Sequence, residues 1–368
     1  MRVVGDVAYL LPVGGIEICT LEDTAALAAR GHRVDLFFGL EGEQRRLFEQ
    51  AGVGLHGPVS FKLTRRTPIR DLLGFLPAIR TVRRLKPDVI WLSRAEHVVW
   101  ARLLAFAAGV ELVTHLHHAP SSPRTRWLTK GVARFLAVSE FTRQQWIAAG
   151  VPGDRIEVVH NALPPGRYPV GGEEEQRAAR ASLGLPTTGR VITFYGRFSE
   201  EKGLPTVLEA FRRIERDDVH LLLAGFYPPQ VDTSEVRRAV ESLDPARVTV
   251  VGPESDVIPF LHAADVVVTP SWVDEAFGRT IVEGMSTGRP VIGARVGAVP
   301  ELLEGGMERL LVPKQDADAL LVAIEAVIDW RDAEPELGAR CSAWVEERFP
   351  YAQHLERVES VLQHFVRG

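Results

Sequence analysis

Short runs rich in β-branched residues alternate along this chain with amphipathic segments of roughly 10 to 15 residues, and no other feature constrains the fold as much. A strand that reaches its parallel neighbour through a helix forms a βαβ unit, so the alternation predicts doubly wound parallel sheets. Candidate strands fall at 3–10, 34–38, 89–92, 111–115, 135–138 and 156–159, then at 191–195, 219–224, 248–251, 266–269, 290–294 and 309–312. At 368 residues the chain exceeds the roughly 250 to 300 residues at which a single core stops growing. Two α/β domains are expected. The boundary lies in the stretch 163–189, where Pro164-Pro165-Gly166, Pro169, Gly171-Gly172, three successive glutamates from Glu173 and Gly189 punctuate the chain. This gives domains at 1–165 and 166–349, with a closing helix at 350–368.

Composition and charge exclude several function classes. With 46% hydrophobic and 25% charged residues the chain is globular, neither disordered nor fibrous. Its two cysteines, Cys19 and Cys341, lie far apart and form no metal spacing, which fits a reducing cytoplasm. Asp6 interrupts the run that a signal peptide would need, and Arg102 and Glu111 break the best apolar window, so any membrane contact is expected to be peripheral. Residues 1–165 carry 21 basic and 15 acidic side chains, whereas 166–368 carry 22 and 33. The stretch 62–86 concentrates Lys62, Arg65, Arg66, Arg70, Arg80, Arg83, Arg84 and Lys86 against a single acid, Asp71. It reads either as the solvated face of a helix over 70–85 or as a patch for an anionic membrane or a phosphorylated acceptor. Nucleic acid is disfavoured, because no aromatics interleave the charges and the whole chain is acidic.

Three segments carry chemistry. Pro12-Val-Gly14-Gly15-Ile-Glu17 follows the first strand and opens a helix, so backbone N–H groups can meet an anion there, although it is not a dinucleotide fingerprint. Tyr195-Gly196-Arg197-Phe-Ser-Glu-Glu-Lys202-Gly203 stands at the carboxyl end of another strand, where a guanidinium and an ammonium can converge on a diphosphate. The third holds Glu275 and Glu283 eight apart, flanked by Pro270-Ser-Trp272 and Thr287-Gly-Arg-Pro-Val291. A helix starting near Gly278 would turn its positive end to the same mouth, one acid serving sugar hydroxyls and the other a ribose diol.

These residues resemble the retaining nucleotide-sugar glycosyltransferases of the GT-B fold, the glycosyl transferases group 1 family, similar also to glycosyltransferase family 4. Gly196-Arg197 with Lys202-Gly203, the Glu275-x7-Glu283 element and the tail from Gly288 to Glu301 carry the likeness, which covers nearly the whole chain. The resemblance implies two Rossmann-like domains facing a cleft, the first binding acceptor and the second a nucleoside diphosphate sugar, UDP- or GDP-linked, with the closing helix crossing back to the first. It implies that Arg197 and Lys202 neutralise the diphosphate and that Gly14 and Gly15 add backbone N–H groups. Glu283 would hold the ribose, and Glu275 with Phe277, Gly278, Arg279 and Thr280 the sugar. Retention by same-face attack, with no metal or other cofactor, is also implied. Ala276 stands where the family usually has Gly, Arg279 where it has an aliphatic residue, and Ala162 where it often has Gly.

The run Thr114-His115-Leu-His117-His118 lacks the spacing of a zinc site. The resemblance makes His117 the residue similar to the family's active-site histidine, with His115 and His118 as competitors. Asp316-Ala-Asp318 opens an amphipathic helix and reads as an N-cap, not a metal motif. A GT-B-like epimerase and a non-catalytic sugar-nucleotide-binding protein are the alternative readings.

Overall fold

The computed structural model describes residues 1–12, 14–64, 66–120 and 124–366, so Val13 and Arg65 lie outside the described residues. The chain divides into two compact units, Met1–Asn161 with Tyr351–Gly368, and Ala162–Pro350. The first contains strands β1 (Arg2–Tyr9), β2 (Arg33–Leu40), β3 (Gly54–His56), β4 (Val89–Leu92), β5 (Glu111–Leu116), β6 (Arg134–Ala137) and β7 (Ile156–Val158). The second contains β8 (Arg190–Arg197), β9 (Val219–Phe226), β10 (Val248–Val251), β11 (Val266–Thr269), β12 (Val291–Ala294) and β13 (Leu311–Val312). Their orders are β3-β2-β1-β4-β5-β6-β7 and β10-β9-β8-β11-β12-β13, with parallel pairings throughout. In each sheet the order reverses beside the first strand of the unit. At such a switch point the carboxyl ends of the strands leave a crevice.

The strands read as continuous apolar runs because both sheet faces are covered. In the first unit Val4, Ile90, Leu92 and Leu112 pack under one helical layer, and Val3, Val7, Trp91 and Val113 under the other. Asp6, the one acid in β1, is fully buried. It accepts from the Ser93 N–H at 2.6 Å and contacts His97 Nδ1 at 2.6 Å, so it ties the exits of β1 and β4 together.

The closing helix, Tyr351–Gln363, belongs to the first unit. Leu355, Val358 and Leu362 join the core of Leu27 and Val89. His354 lies between the Asp23 carboxylate at 2.9 Å and the His160 carbonyl at 2.8 Å. Both partners accept only, so the ring serves them best doubly protonated, and its pKa is raised: burial opposes the charge, but Asp23 and the carbonyl outweigh it.

Two sequence expectations are corrected. β3 was not anticipated, since Gly54-Leu55-His56 is short and lacks β-branched residues. The single helix expected over 70–85 is two, Pro68–Gly74 and Leu76–Leu85, divided at Gly74-Phe75 with Pro77 in the first turn of the second. Among the described residues no helix is long and apolar enough to cross a membrane.

Candidate functional site

In the second unit the site is built from three loops at the carboxyl ends of β8, β11 and β12. The chain leaves β8 through Gly196 and Arg197, then turns at Gly203 into the Leu204–Arg212 helix. Gly203 has φ +73°, and a Cβ there would sit 1.8 Å from the Pro270 carbonyl, so only glycine lets this loop press against the one after β11. The Trp272 N–H donates to the Glu201 carbonyl at 2.9 Å, and its indole N–H donates to Thr206 Oγ1 at 2.8 Å. The loop after β12 closes the other side: the Ala298 N–H donates to the Glu275 carbonyl at 2.8 Å, and a Cβ on Gly297 would fall 2.2 Å from that oxygen.

This clamp fixes the Glu275 carboxylate. Lys202 Nζ and Ser271 Oγ each donate to its Oε1 at 2.6 Å. Burial alone would raise its pKa, but the charge and hydrogen bond of Lys202, the Ser271 hydroxyl and the charge of Arg197 hold it below the usual glutamate value. Arg197 is half-exposed, its guanidinium 3.6 Å from the Glu201 carboxylate. Two cations therefore stand at one loop, one paired internally and one open.

Gly278 is the N-cap of the Arg279–Ser286 helix, as expected from the sequence. Ile281, Val282 and Met285 anchor that helix in the core, while Phe277 meets Phe349 edge-on at 5.6 Å. Thr280 is half-buried, and its carbonyl accepts from Tyr195 Oη at 3.3 Å. Glu283 is buried and well supplied with donors: Arg279 Nε at 2.6 Å and Tyr168 Oη at 2.8 Å on Oε1, and Tyr195 Oη at 2.6 Å on Oε2. Both tyrosine hydroxyls are held protonated, by burial first and by the glutamate charge second. The aliphatic-to-arginine departure at Arg279 thus places a cation on Glu283 and leaves its carboxylate room for about one further donor.

Arg289, in the Gly288-Arg-Pro run, is a structural residue. Fully buried, it donates to the carbonyls of Ala264, Gly171, Thr287 and His262, and burial with the nearby Arg331 charge pulls its pKa down to about 9. It fastens the connection at Gly171 to the second sheet. Asp316 caps its helix through the Ala319 N–H at 2.8 Å, as its sequence position suggested.

In the first unit Gly14 is the extended N-cap of the Gly15–Ala29 helix, whose first N–H groups have no intrahelical partner. Just inside that helix the buried Glu17 pairs with Arg94. His117 follows β5, its ring centroid 4.2 Å from that of His115. Burial, then the charges of His115, His118, Arg94 and His354, keep it well below the usual histidine value and so neutral near pH 7. It lines a cavity of about 80 Å³ together with Ser93, Glu96, His118, Thr125 and Trp146. His115 is almost fully buried against Trp91 and is not among the residues that line the cavity; among the described residues neither of its ring nitrogens finds a partner. Among the described residues no three His, Cys, Asp or Glu side chains group as metal ligands would.

The structure thus brings Lys202, Glu275 and Arg197 together, and Arg279 with Glu283. Sequence reasoning missed Ser271, Tyr168 and Tyr195 as partners of these acids. Ser271 and Tyr195 lay inside the motifs and were signalled only by adjacency; Tyr168 sits in the connection and had no signal.

Comparison with known proteins gives a consistent picture. Residues 189–329 match the family model for glycosyl transferases group 1, and residues 13–167 the model for glycosyltransferase family 4. A D-inositol 3-phosphate glycosyltransferase of Mycolicibacterium smegmatis is 31% identical over 242 residues, 64% of this chain and 53% of that protein. One of Mycobacterium bovis is 34% identical over 184 residues, 49% of this chain and 37% of that protein. The chain spans about half or less of the length of these relatives. Among solved structures, Anabaena HepE in complex with UDP and glucose superposes with a TM-score of 0.86 at 22% identity, over 99% of both chains. Sucrose-phosphate synthase from Thermosynechococcus elongatus does so at 0.78 and 20%, over 99% of this chain and 98% of that one.

Proposed function

We propose that this chain, a two-domain GT-B protein whose halves match the glycosyltransferase family 4 and glycosyl transferases group 1 models, moves a glycosyl group from a nucleoside diphosphate sugar to an acceptor hydroxyl. The observation that carries the reading is the arrangement of Lys202, Ser271 and Glu275 beside the open Arg197 and ahead of a glycine-capped helix. The donor is UDP- or GDP-linked; a neighbour of the same fold crystallised with UDP and glucose supports the first.

In transfer the bond from the anomeric carbon to the diphosphate oxygen breaks and its electron pair leaves with the diphosphate. The acceptor oxygen bonds to the anomeric carbon, and its proton passes to the departing phosphate oxygen. Negative charge therefore grows on the diphosphate while positive charge grows on the sugar. Fixed cations at Arg197 and Lys202 meet the first more strongly in the transition state than in the ground state. Glu275 orients Lys202 and offers acceptor oxygens to sugar hydroxyls. The helix dipole behind Gly278 adds in the same sense as the cations. With two cations on the diphosphate, the reaction proceeds without a metal. Glu283 takes the ribose with its remaining acceptor capacity. The acceptor, a small molecule, glycan or lipid, enters the cavity beside the neutral His117.

Neither an epimerase nor a non-catalytic binder gains an observation in its favour. The test is turnover of nucleotide sugars with and without EDTA, followed by the anomeric configuration of the product by NMR. Expected are transfer that survives chelation and a product with the donor's configuration. An inverted product, or activity lost with EDTA and restored by a divalent ion, contradicts the reading.

A further inference from the structure

We propose that the surface formed by residues 62–64 and 66–86 docks the first unit on an anionic lipid bilayer, with the Pro68–Gly74 helix lying in the headgroup layer. None of that helix is buried. Ile69 is 75% exposed and Leu73 60%, while Leu63, Leu72 and Leu76 are each 40% or more exposed. Single exposed apolar residues are ordinary, but five between positions 63 and 76 form a patch that a soluble face does not need.

Cations surround the patch. Lys62, Arg66 and Arg70 flank it and are exposed, and Arg80, Arg83 and Arg84 occupy the side of the Leu76–Leu85 helix opposite its buried Ala78 and Val82. The one acid, Asp71, is engaged within the segment, accepting from the Thr64 N–H and Oγ1 at 2.7 Å each and from Thr67 Oγ1 at 3.1 Å. That network folds the segment back on itself, so the apolar tip is already formed before it meets a partner. Arg83 Nε donates to the Ala107 carbonyl at 3.2 Å, one residue from Phe106, which is 88% exposed. An aromatic ring beside basic side chains suits the bilayer interface.

Charge selects the occupant. A second copy of the chain packed about a two-fold axis would set these cations against themselves. A phosphorylated soluble acceptor would use the arginines and leave the leucines without a purpose. A bilayer of acidic lipids meets both, apolar side chains entering the acyl boundary and arginines meeting headgroups at roughly fivefold in affinity each.

The test is co-sedimentation of the full chain with vesicles of phosphatidylcholine alone or with phosphatidylglycerol, at low and high salt. No sugar donor is present, so failure here leaves the proposed reaction untouched, and failure of that reaction leaves this result standing. Expected is binding to the acidic vesicles only, weakened by salt and reduced at least about 25-fold by Arg80→Glu with Arg84→Glu. Ile69→Ser with Leu73→Ser should reduce it as well, even where salt has not. Unchanged thermal midpoints show that the variants fold. Equal binding by wild type and both variants, no binding to acidic vesicles, or a concentration-dependent dimer that both variants abolish overturns the proposal.

Discussion

Lys202 and Glu275 are 73 positions apart in the chain and 2.6 Å apart in the fold. A part-buried carboxylate is most stable there while its cation is present. Lys202→Met should therefore act twice. Removing a donor that meets charge in the transition state costs roughly a hundredfold or more in turnover, as should Arg197→Ala. It should also change the acid limb of stability. The Glu275 pKa is depressed in the folded protein, so its contribution is present above the ordinary glutamate value of 4.5 and is lost as pH falls through the lower folded value. Thermal midpoints measured against pH should show a shallower acid limb in Lys202→Met than in the wild type, and near-normal turnover in both variants would contradict the assignment. Both cations were legible in the sequence because they stood at the carboxyl end of a strand, and both acids because they stood eight apart between Pro270-Ser-Trp272 and Thr287-Gly-Arg-Pro-Val291. The Tyr168 and Tyr195 hydroxyls on Glu283 were not legible, because hydrogen-bond partners from distant elements leave no spacing in sequence.

At the level of elements, the strand pattern was readable wherever β-branched runs supplied it, and β3 escaped because three residues beside a glycine carry no such signal. The break between the Pro68–Gly74 and Leu76–Leu85 helices was written in Gly74 and Pro77, but the charge pattern of the segment masked it. The closing helix shows how an element's attachment becomes pH-dependent. His354 has a raised pKa in the fold, so its contribution is complete below the ordinary histidine value of 6.5 and is lost as pH rises through the higher folded value. Around it stand Asp23, Glu22 and the His160 carbonyl, with His115 nearby. His354→Gln should lower stability by about 1 to 3 kcal/mol at pH 6 and by less at pH 9, the two curves converging. Parallel curves in chemical denaturation would show that the ring does not carry the charge.

For the whole molecule, two parallel sheets came directly from the alternation of strands and helices, and the units part at Asn161 and Pro350. The charge imbalance between the chain's halves includes the exposed cations between Lys62 and Lys86 on the first unit. Whether the open guanidinium and the paired ammonium of the second unit bind a diphosphate is the central claim, and calorimetric titration with nucleoside diphosphates and the matching monophosphates tests it without any acceptor. At least one nucleoside diphosphate should bind the wild type, Arg197→Ala with Lys202→Ala should weaken it by at least about tenfold, and the monophosphate should change little, since the cations address the second phosphate. No binding of any nucleoside diphosphate, or equal affinity for wild type and the double variant, would contradict the account.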